Sequence, residues 1–194
     1  MTFLLIDNFD SFTHMLADYI RQCGVNCDVV RNNDKRLTSA EFINSYEAIV
    51  LSPGPQTPHE GGLMMDIIRQ YHSQKPMLGI CLGHQALGVF FGAKLHKAIQ
   101  PKHGKVDLIS VIHTHNLFNH IPNQFHVTRY HSLVLSDLPE ELTALALTEE
   151  EEIMALAHKT LPLCGIQFHP ESCLTEHGLQ MLQNFVQIVK QLGY

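Results

Sequence analysis

Between Phe3 and Ile80, short apolar runs alternate with stretches of helical periodicity, and this alternation restricts the possible folds more than any other feature. Phe3 to Ile6 reads as a strand ending in the polar turn Asp7-Asn8-Phe9-Asp10. Ser11 then stands as N-cap of a helix in which Phe12, Met15, Leu16, Tyr19, Ile20 and Cys23 recur at helical spacing and which Gly24 closes. Cys27 to Val30 and Ala48 to Leu51 read as strands, the second stopped by Ser52-Pro53-Gly54-Pro55. A helix from about Leu63 to Tyr71, a strand from Met77 to Ile80 and a helix from about His84 to Phe91 follow. Strands joined by helices pair in parallel through right-handed crossovers. The expected class is therefore α/β, an open, mostly parallel sheet flanked by helices. From Lys105 to Gln167, short runs rich in Val, Ile and Leu predict added antiparallel strands in the second half, and Thr175 to Leu192 reads as a closing amphipathic helix. With no repeat, low-complexity tract or linker, residues 1–194 are expected to form a single domain.

Bulk properties narrow the function. A formal charge of −6 argues against a nucleic-acid partner, which calls for a basic face. No apolar run approaches the roughly 18 residues of a membrane span. The start, Met1-Thr2-Phe3-Leu4-Leu5-Ile6-Asp7, lacks the basic region of a signal peptide. Five cysteines, with no C-x-x-C pair, fit reduced thiols in the cytoplasm. The cluster Glu149-Glu150-Glu151-Glu152 reads as a solvated turn, and His113, His115, His120 and His126 show no regular ligand spacing, so no metal or cofactor is expected.

Ligands of open parallel sheets sit beyond the carboxyl ends of the strands, so the segments leaving the strands carry the chemistry. Gly79-Ile80-Cys81-Leu82-Gly83 places a cysteine between two glycines at a strand-to-helix turn. Such a turn leaves no room for flanking side chains, and the helix N-terminus favours a thiolate. A buried structural cysteine beside packing glycines satisfies the same short pattern. In Phe168-His169-Pro170-Glu171 a histidine follows an apolar strand, with a carboxylate two residues on that can hold its imidazole in one tautomer. His84 and His131 are rival bases among 14 histidines. His84, however, falls on the helix after the cysteine, where its ring points away from the thiol. The loop Ser52-Pro53-Gly54-Pro55-Gln56-Thr57-Pro58 leaves the Gly54 and Gln56 amides free to meet a developing oxyanion together with the Leu82 N–H.

In their order along the chain these segments resemble the class I (triad) glutamine amidotransferases, and more narrowly the small subunits of anthranilate and aminodeoxychorismate synthases. The likeness extends through Asp7-Asn8-Phe9-Asp10-Ser11-Phe12-Thr13, Gly83-His84-Gln85, His103-Gly104-Lys105 and Arg129-Tyr130-His131-Ser132-Leu133. It implies a flavodoxin-like sheet and a triad of Cys81, His169 and Glu171, with oxyanion amides from Gly54 and Leu82. It also implies that Gln85 holds the polar head of L-glutamine with backbone at Gln56, Ser132 and Leu133. His103, Gly104 and Lys105 match a stretch facing the partner, a chorismate-binding synthase subunit that uses the ammonia. Thr128-Arg129-Tyr130-His131 and Thr57-Pro58 lean slightly towards the aminodeoxychorismate type, while the anthranilate type stays nearly as close a match and one small subunit serving both stays open. Two departures stand out: Gln56 where the family usually has a smaller residue, and Cys173 where an aliphatic residue is usual. A free-standing cysteine hydrolase or peptidase on the same sheet is the alternative, as it shares the elbow but needs neither the Ser52-Pro53-Gly54-Pro55 loop nor a partner-facing stretch.

Overall fold

The computed structural model describes residues 1–193. Its main sheet is built from strands β1 (Thr2–Asp7), β2 (Asn26–Arg31), β3 (Ala48–Leu51) and β4 (Met77–Ile80), then β6 (Lys105–Val111), β7 (Gln124–Arg129), β9 (Leu142–Thr148), β10 (Ile153–His158) and β11 (Leu163–Ile166). A separate two-stranded ribbon pairs β5 (Lys94–Lys97) with β8 (Leu133–Ser136). Across the main sheet the order is β2-β1-β3-β4-β11-β10-β9-β6-β7. The strands from β2 to β11 pair in parallel and those beyond pair antiparallel. The added antiparallel strands of the second half are therefore present, with one correction. β11, expected among them, returns to the middle of the sheet and pairs in parallel with β4, in the register Ile166 opposite Ile80.

The apolar runs are continuous because both sheet faces are covered. From β1, Phe3 and Leu5 join one core cluster with Leu16 and Ile20 of α1 (Thr13–Gln22) and Phe185 of α5 (Gly178–Gln191). Leu4 and Ile6 point the other way and pack with Ile67 and Ile68 of α3 (Met64–Tyr71) and Ala86 and Leu87 of α4 (Leu82–Phe91). One further helix, α2 (Ala40–Asn44), is too short to carry a clear period; it is started by the Ser39 hydroxyl, which accepts from the Phe42 N–H.

Ser11 is not the cap of α1. The Asp10 carboxylate accepts from the Phe12 N–H at 2.8 Å, and the Thr13 hydroxyl donates to Asp7 at 2.8 Å. Phe12 is the residue before the helix and no side chain caps it; the Asp10 and Asp7 carboxylates instead brace the turn that leads into it. Met15, placed on the apolar face by spacing, is exposed instead. The acidic run is also divided: Glu149, Glu150 and Glu151 are solvated, whereas Glu152 is buried against Arg129. Glu152, the residue before β10, is turned inward, where a guanidinium compensates its charge. Among the described residues no helix is long and apolar enough to cross a membrane.

Candidate active site

Four polypeptide segments leave the carboxyl ends of β1, β3, β4 and β11 at one edge of the sheet. Cys81 follows β4 directly and is the residue before α4, with φ 51° and ψ −101°. A side chain other than glycine's rarely takes this conformation, and holding it costs about 1–3 kcal/mol. The surroundings impose it. A Cβ on Gly79 would stand 2.4 Å from the Gly83 carbonyl group, and one on Gly83 would stand 2.4 Å from the Leu51 oxygen. The first turn of α4 is thus pressed onto β3 and β4, and only glycine allows that approach.

His169 lies beyond β11, with its Nδ1 2.6 Å from Glu171 Oε1. Both residues are buried. The His169 backbone is tied down at both ends: its N–H donates to Thr128 O at 3.1 Å, and its carbonyl accepts from the Thr175 hydroxyl at 2.7 Å. The rings of Phe12 and Tyr130 pack edge-on to the imidazole, at 5.6 and 5.0 Å between centroids. Nε2 has no hydrogen-bond partner at rest and is turned towards the Cys81 sulfur. Burial opposes charging of this imidazole, but its interactions with the Cys81 sulfur and with Glu171 prevail and hold its pKa at about 10. The direction favours the imidazolium over the neutral ring.

The rival histidines are neutral. Burial pushes His84 down to about 4. Its ring lies against Gly165, where a Cβ would stand 2.8 Å from Nδ1, and neither nitrogen finds a hydrogen-bond partner of good geometry. Burial and the adjacent Arg129 guanidinium push His131 down to about 3. Its Nδ1–H donates to Leu133 O at 2.9 Å, which leaves Nε2 to accept from Arg129 Nε at 3.0 Å. The rival thiols are equally disfavoured: burial raises Cys23 to about 11 and Cys27 and Cys164 to about 12. Cys173 is exposed on the turn after Glu171.

Cys81 lies between two clefts. One, of about 190 Å³, is bounded by Gly54, Pro55, Gln56, Gln85, Ser132 and Leu133, and so brings together the residues expected to hold a substrate. The other, of about 360 Å³, opens past Phe9, Phe12, His103 and Tyr130. Gln56 sits at φ 67° with its side chain exposed. That left-handed backbone is the physical reason a glycine is favoured there, and the glutamine side chain is turned to solvent. Gly54 has no latitude: a Cβ would lie 2.6 Å from Asn8 Cβ and 2.8 Å from Leu82 Cδ2. His103, Gly104 and Lys105 are exposed at the start of β6, with the His103 ring 5.5 Å from that of Tyr130.

Three contributors were given no role of their own by the sequence reading. Asn8 fastens the Ser52 loop, its N–H donating to Ser52 Oγ at 2.8 Å and its Nδ2 to Ser52 O at 2.9 Å. Arg129 is fully buried, paired with Asp107 at 2.7 Å and with Glu152, and it supports His131. Gln167 is fully buried beside the sulfur, with Nε2 3.7 Å from Cys81 Sγ. Each is a polar residue within or next to an apolar run, and that is the signal which marks it.

The sequence model described as "Glutamine amidotransferase class-I" matches residues 4–189. The chain belongs to this family. It is therefore a glutamine amidotransferase. It is 43% identical over 202 residues to anthranilate synthase component 2 of Pseudomonas putida, covering 100% of this chain and 98% of that one. It is 46% identical over 187 residues to aminodeoxychorismate synthase component 2 of Klebsiella aerogenes, covering 94% and 98%. Among solved structures, a putative GMP synthase component from Thermoplasma acidophilum superposes with a TM-score of 0.89 at 28% identity, over 100% of this chain and 96% of the other.

Proposed function

We propose that this single-domain chain is the glutaminase subunit of a chorismate-aminating synthase and that Cys81, His169 and Glu171 form its catalytic triad. The observation that carries the assignment is the strained Cys81 elbow, whose sulfur faces the Nε2 of an imidazole bound through Nδ1 to a buried carboxylate at 2.6 Å. The thiolate attacks the side-chain carbonyl carbon of L-glutamine, and the carbonyl electrons move onto oxygen. The amides of Gly54 and Leu82 receive that oxyanion, a contribution of about 3–4 kcal/mol per donor. His169, as the imidazolium, passes its Nε2 proton to the amide nitrogen, the C–N bond breaks and ammonia leaves a γ-glutamyl thioester. Neutral His169 then takes a proton from water, and the hydroxide so formed attacks the thioester carbonyl carbon; the C–S bond breaks, its electron pair restores the Cys81 thiolate, and the acyl group leaves as glutamate.

Substrate contacts follow from which atoms remain unused. Both hydrogens of Gln85 Nε2 are engaged, with Leu133 O at 3.0 Å and Gln167 Oε1 at 3.2 Å, so Gln85 offers its Oε1 to the ammonium of the substrate's head. Backbone at Gln56, Ser132 and Leu133 lines the rest of the smaller cleft. The larger cleft runs from Cys81 past Tyr130 to His103, and we propose that His103, Gly104 and Lys105 meet the synthase subunit there, in the cytoplasm. Relatives of both the anthranilate and the aminodeoxychorismate type support a chorismate-binding partner.

Cys81→Ser tests the division of labour. With the synthase subunit present, it is expected to abolish synthesis from chorismate and glutamine while leaving synthesis from chorismate and ammonia intact. Chromatography of the product reads 4-amino-4-deoxychorismate against anthranilate in the same assay. Loss of ammonia-dependent synthesis as well would overturn the assignment.

A further inference from the structure

The amide of Gln167 is oriented by a fixed sequence of hydrogen bonds that ends on the Cys81 sulfur. Leu133 O is a carbonyl and only accepts, so the Gln85 atom 3.0 Å from it is the NH₂ group. That same NH₂ lies 3.2 Å from Gln167, which must therefore present its oxygen to Gln85. The opposite end of the Gln167 amide is then its NH₂, 3.7 Å from Cys81 Sγ. The sheet register places it there. Ile166 stands opposite Ile80, and the Cys81 N–H donates to Ile166 O at 2.8 Å, so the next residues of β11 and β4 lie side by side. No water competes for the donor, because Gln167 is fully buried.

We propose that Gln167 is a catalytic residue that donates an amide hydrogen bond to the Cys81 sulfur, with Gln85 as the positioning residue that keeps the donor facing it. The role rests on Cys81 being the nucleophile. The sulfur carries negative charge at two moments: before it attacks the carboxamide, and when it leaves the γ-glutamyl thioester. In the second, the electron pair of the breaking C–S bond returns to sulfur. A donor on sulfur favours both charged states and has less to bind in the neutral thioester between them. His169 shuttles the protons, whereas Gln167 keeps its own throughout. Hydrogen bonds to charged groups are strong enough for loss of this one to change rates about tenfold.

Gln167→Glu is the decisive variant, because it keeps the shape and the acceptor for Gln85 but replaces the donor by a carboxylate. In the full-length chain, iodoacetamide alkylation of Cys81 at neutral pH is expected to slow about tenfold or more, and its pH–rate profile to move to higher pH. During glutamine turnover with the synthase subunit, mass spectrometry of quenched samples should find more γ-glutamyl thioester on Cys81 than in the unaltered chain. Gln85→Leu frees the Gln167 amide to rotate and should shift the alkylation profile the same way, although iodoacetamide uses none of the glutamine-head contacts. An unmoved profile in both variants, with far-ultraviolet circular dichroism matching the unaltered chain, overturns the role of Gln167. If Gln167→Glu does not fold, the Gln85→Leu profile decides alone. A glutamine-like diazo-ketone separates the two assignments. If it labels another cysteine in the unaltered chain, the nucleophile is wrong, whereas labelling of Cys81 with unmoved profiles removes only the role of Gln167.

Discussion

At the scale of single residues, the site depends on atoms that are absent. Gly54 brings its backbone against Asn8 and Leu82 so closely that a methyl group would stand 2.6 Å from Asn8 Cβ. Gly54→Ala is therefore expected to push the loop outward and misplace its amide. Glutamine turnover should fall at least a hundredfold, as expected when an oxyanion donor is lost, with about 1–3 kcal/mol of stability lost to overpacking. Steady-state kinetics beside a denaturant melt checks both; unchanged turnover would remove Gly54 from the oxyanion hole. That Cys81, His169 and Glu171 would come together was legible because each is a chemically specific residue on a segment that leaves a strand. Asn8 and Gln167 were not, since an amide in a sequence says nothing about which atom it will face. Their partners lie 44 and 86 residues away.

At the scale of elements, the β4–α4 elbow stores strain at the proposed nucleophile. Cys81 holds φ 51° because Gly79 and Gly83 let the helix start directly on the sheet. Two variants that both remove the thiol isolate this cost. Cys81→Gly relieves the backbone and Cys81→Ala does not, so the glycine variant should be the more stable by about 1 kcal/mol, or roughly 2–4 °C in melting temperature. Calorimetry finding the alanine variant equal or higher would show that the elbow is unstrained. The apolar periods located β3 and β4 to the residue, because strands buried on both faces are uninterrupted in hydrophobicity. Helix starts were less legible. α4 begins at Leu82 rather than His84, and Phe12 rather than Ser11 is the residue before α1, because tertiary packing sets where the chain first turns.

At the scale of the whole molecule, buried ionisable groups set the response to pH. His84 and His131 are held down at about 4 and about 3 in the folded chain, against an ordinary value of 6.5. The unfolded chain therefore binds more protons than the folded one below about pH 6.5. Stability attributable to these two residues is complete above that pH and is lost as the pH falls towards 3–4. His169, raised to about 10, contributes in the opposite sense: its share is complete below 6.5 and fades as the pH rises through 10. His84→Met keeps an apolar side chain of similar bulk and removes one acid-sensitive group. Its melting temperature should fall less steeply between pH 6.5 and 4 than that of the unaltered chain. Parallel slopes in a pH series of thermal melts would contradict neutral burial of His84.

The buried ion network joins distant parts of the molecule. Arg129 at the end of β7 pairs with Asp107 on β6 and with Glu152 before β10, and the Glu152 carboxylate also accepts from the Ile99 N–H at 2.9 Å. Lys102 adds a bridge to Asp107 at 3.0 Å, so the segment leading to His103 is tied to the strand that supports the smaller cleft. The chain's own sequence determined the class of fold, the sheet edge that gathers the candidate site and the three residues proposed for the triad. Hydrophobic period, glycine at a turn and a histidine beside a carboxylate are local signals, carried by neighbours along the chain. Tertiary structure alone decided that β11 lies in parallel against β4, that Glu152 turns inward to Arg129 and that His84 and His131 stay neutral. Those outcomes depend on burial and on partners brought together across the sheet, and a group's charge or hydrogen bond is settled only once its solvent has been replaced.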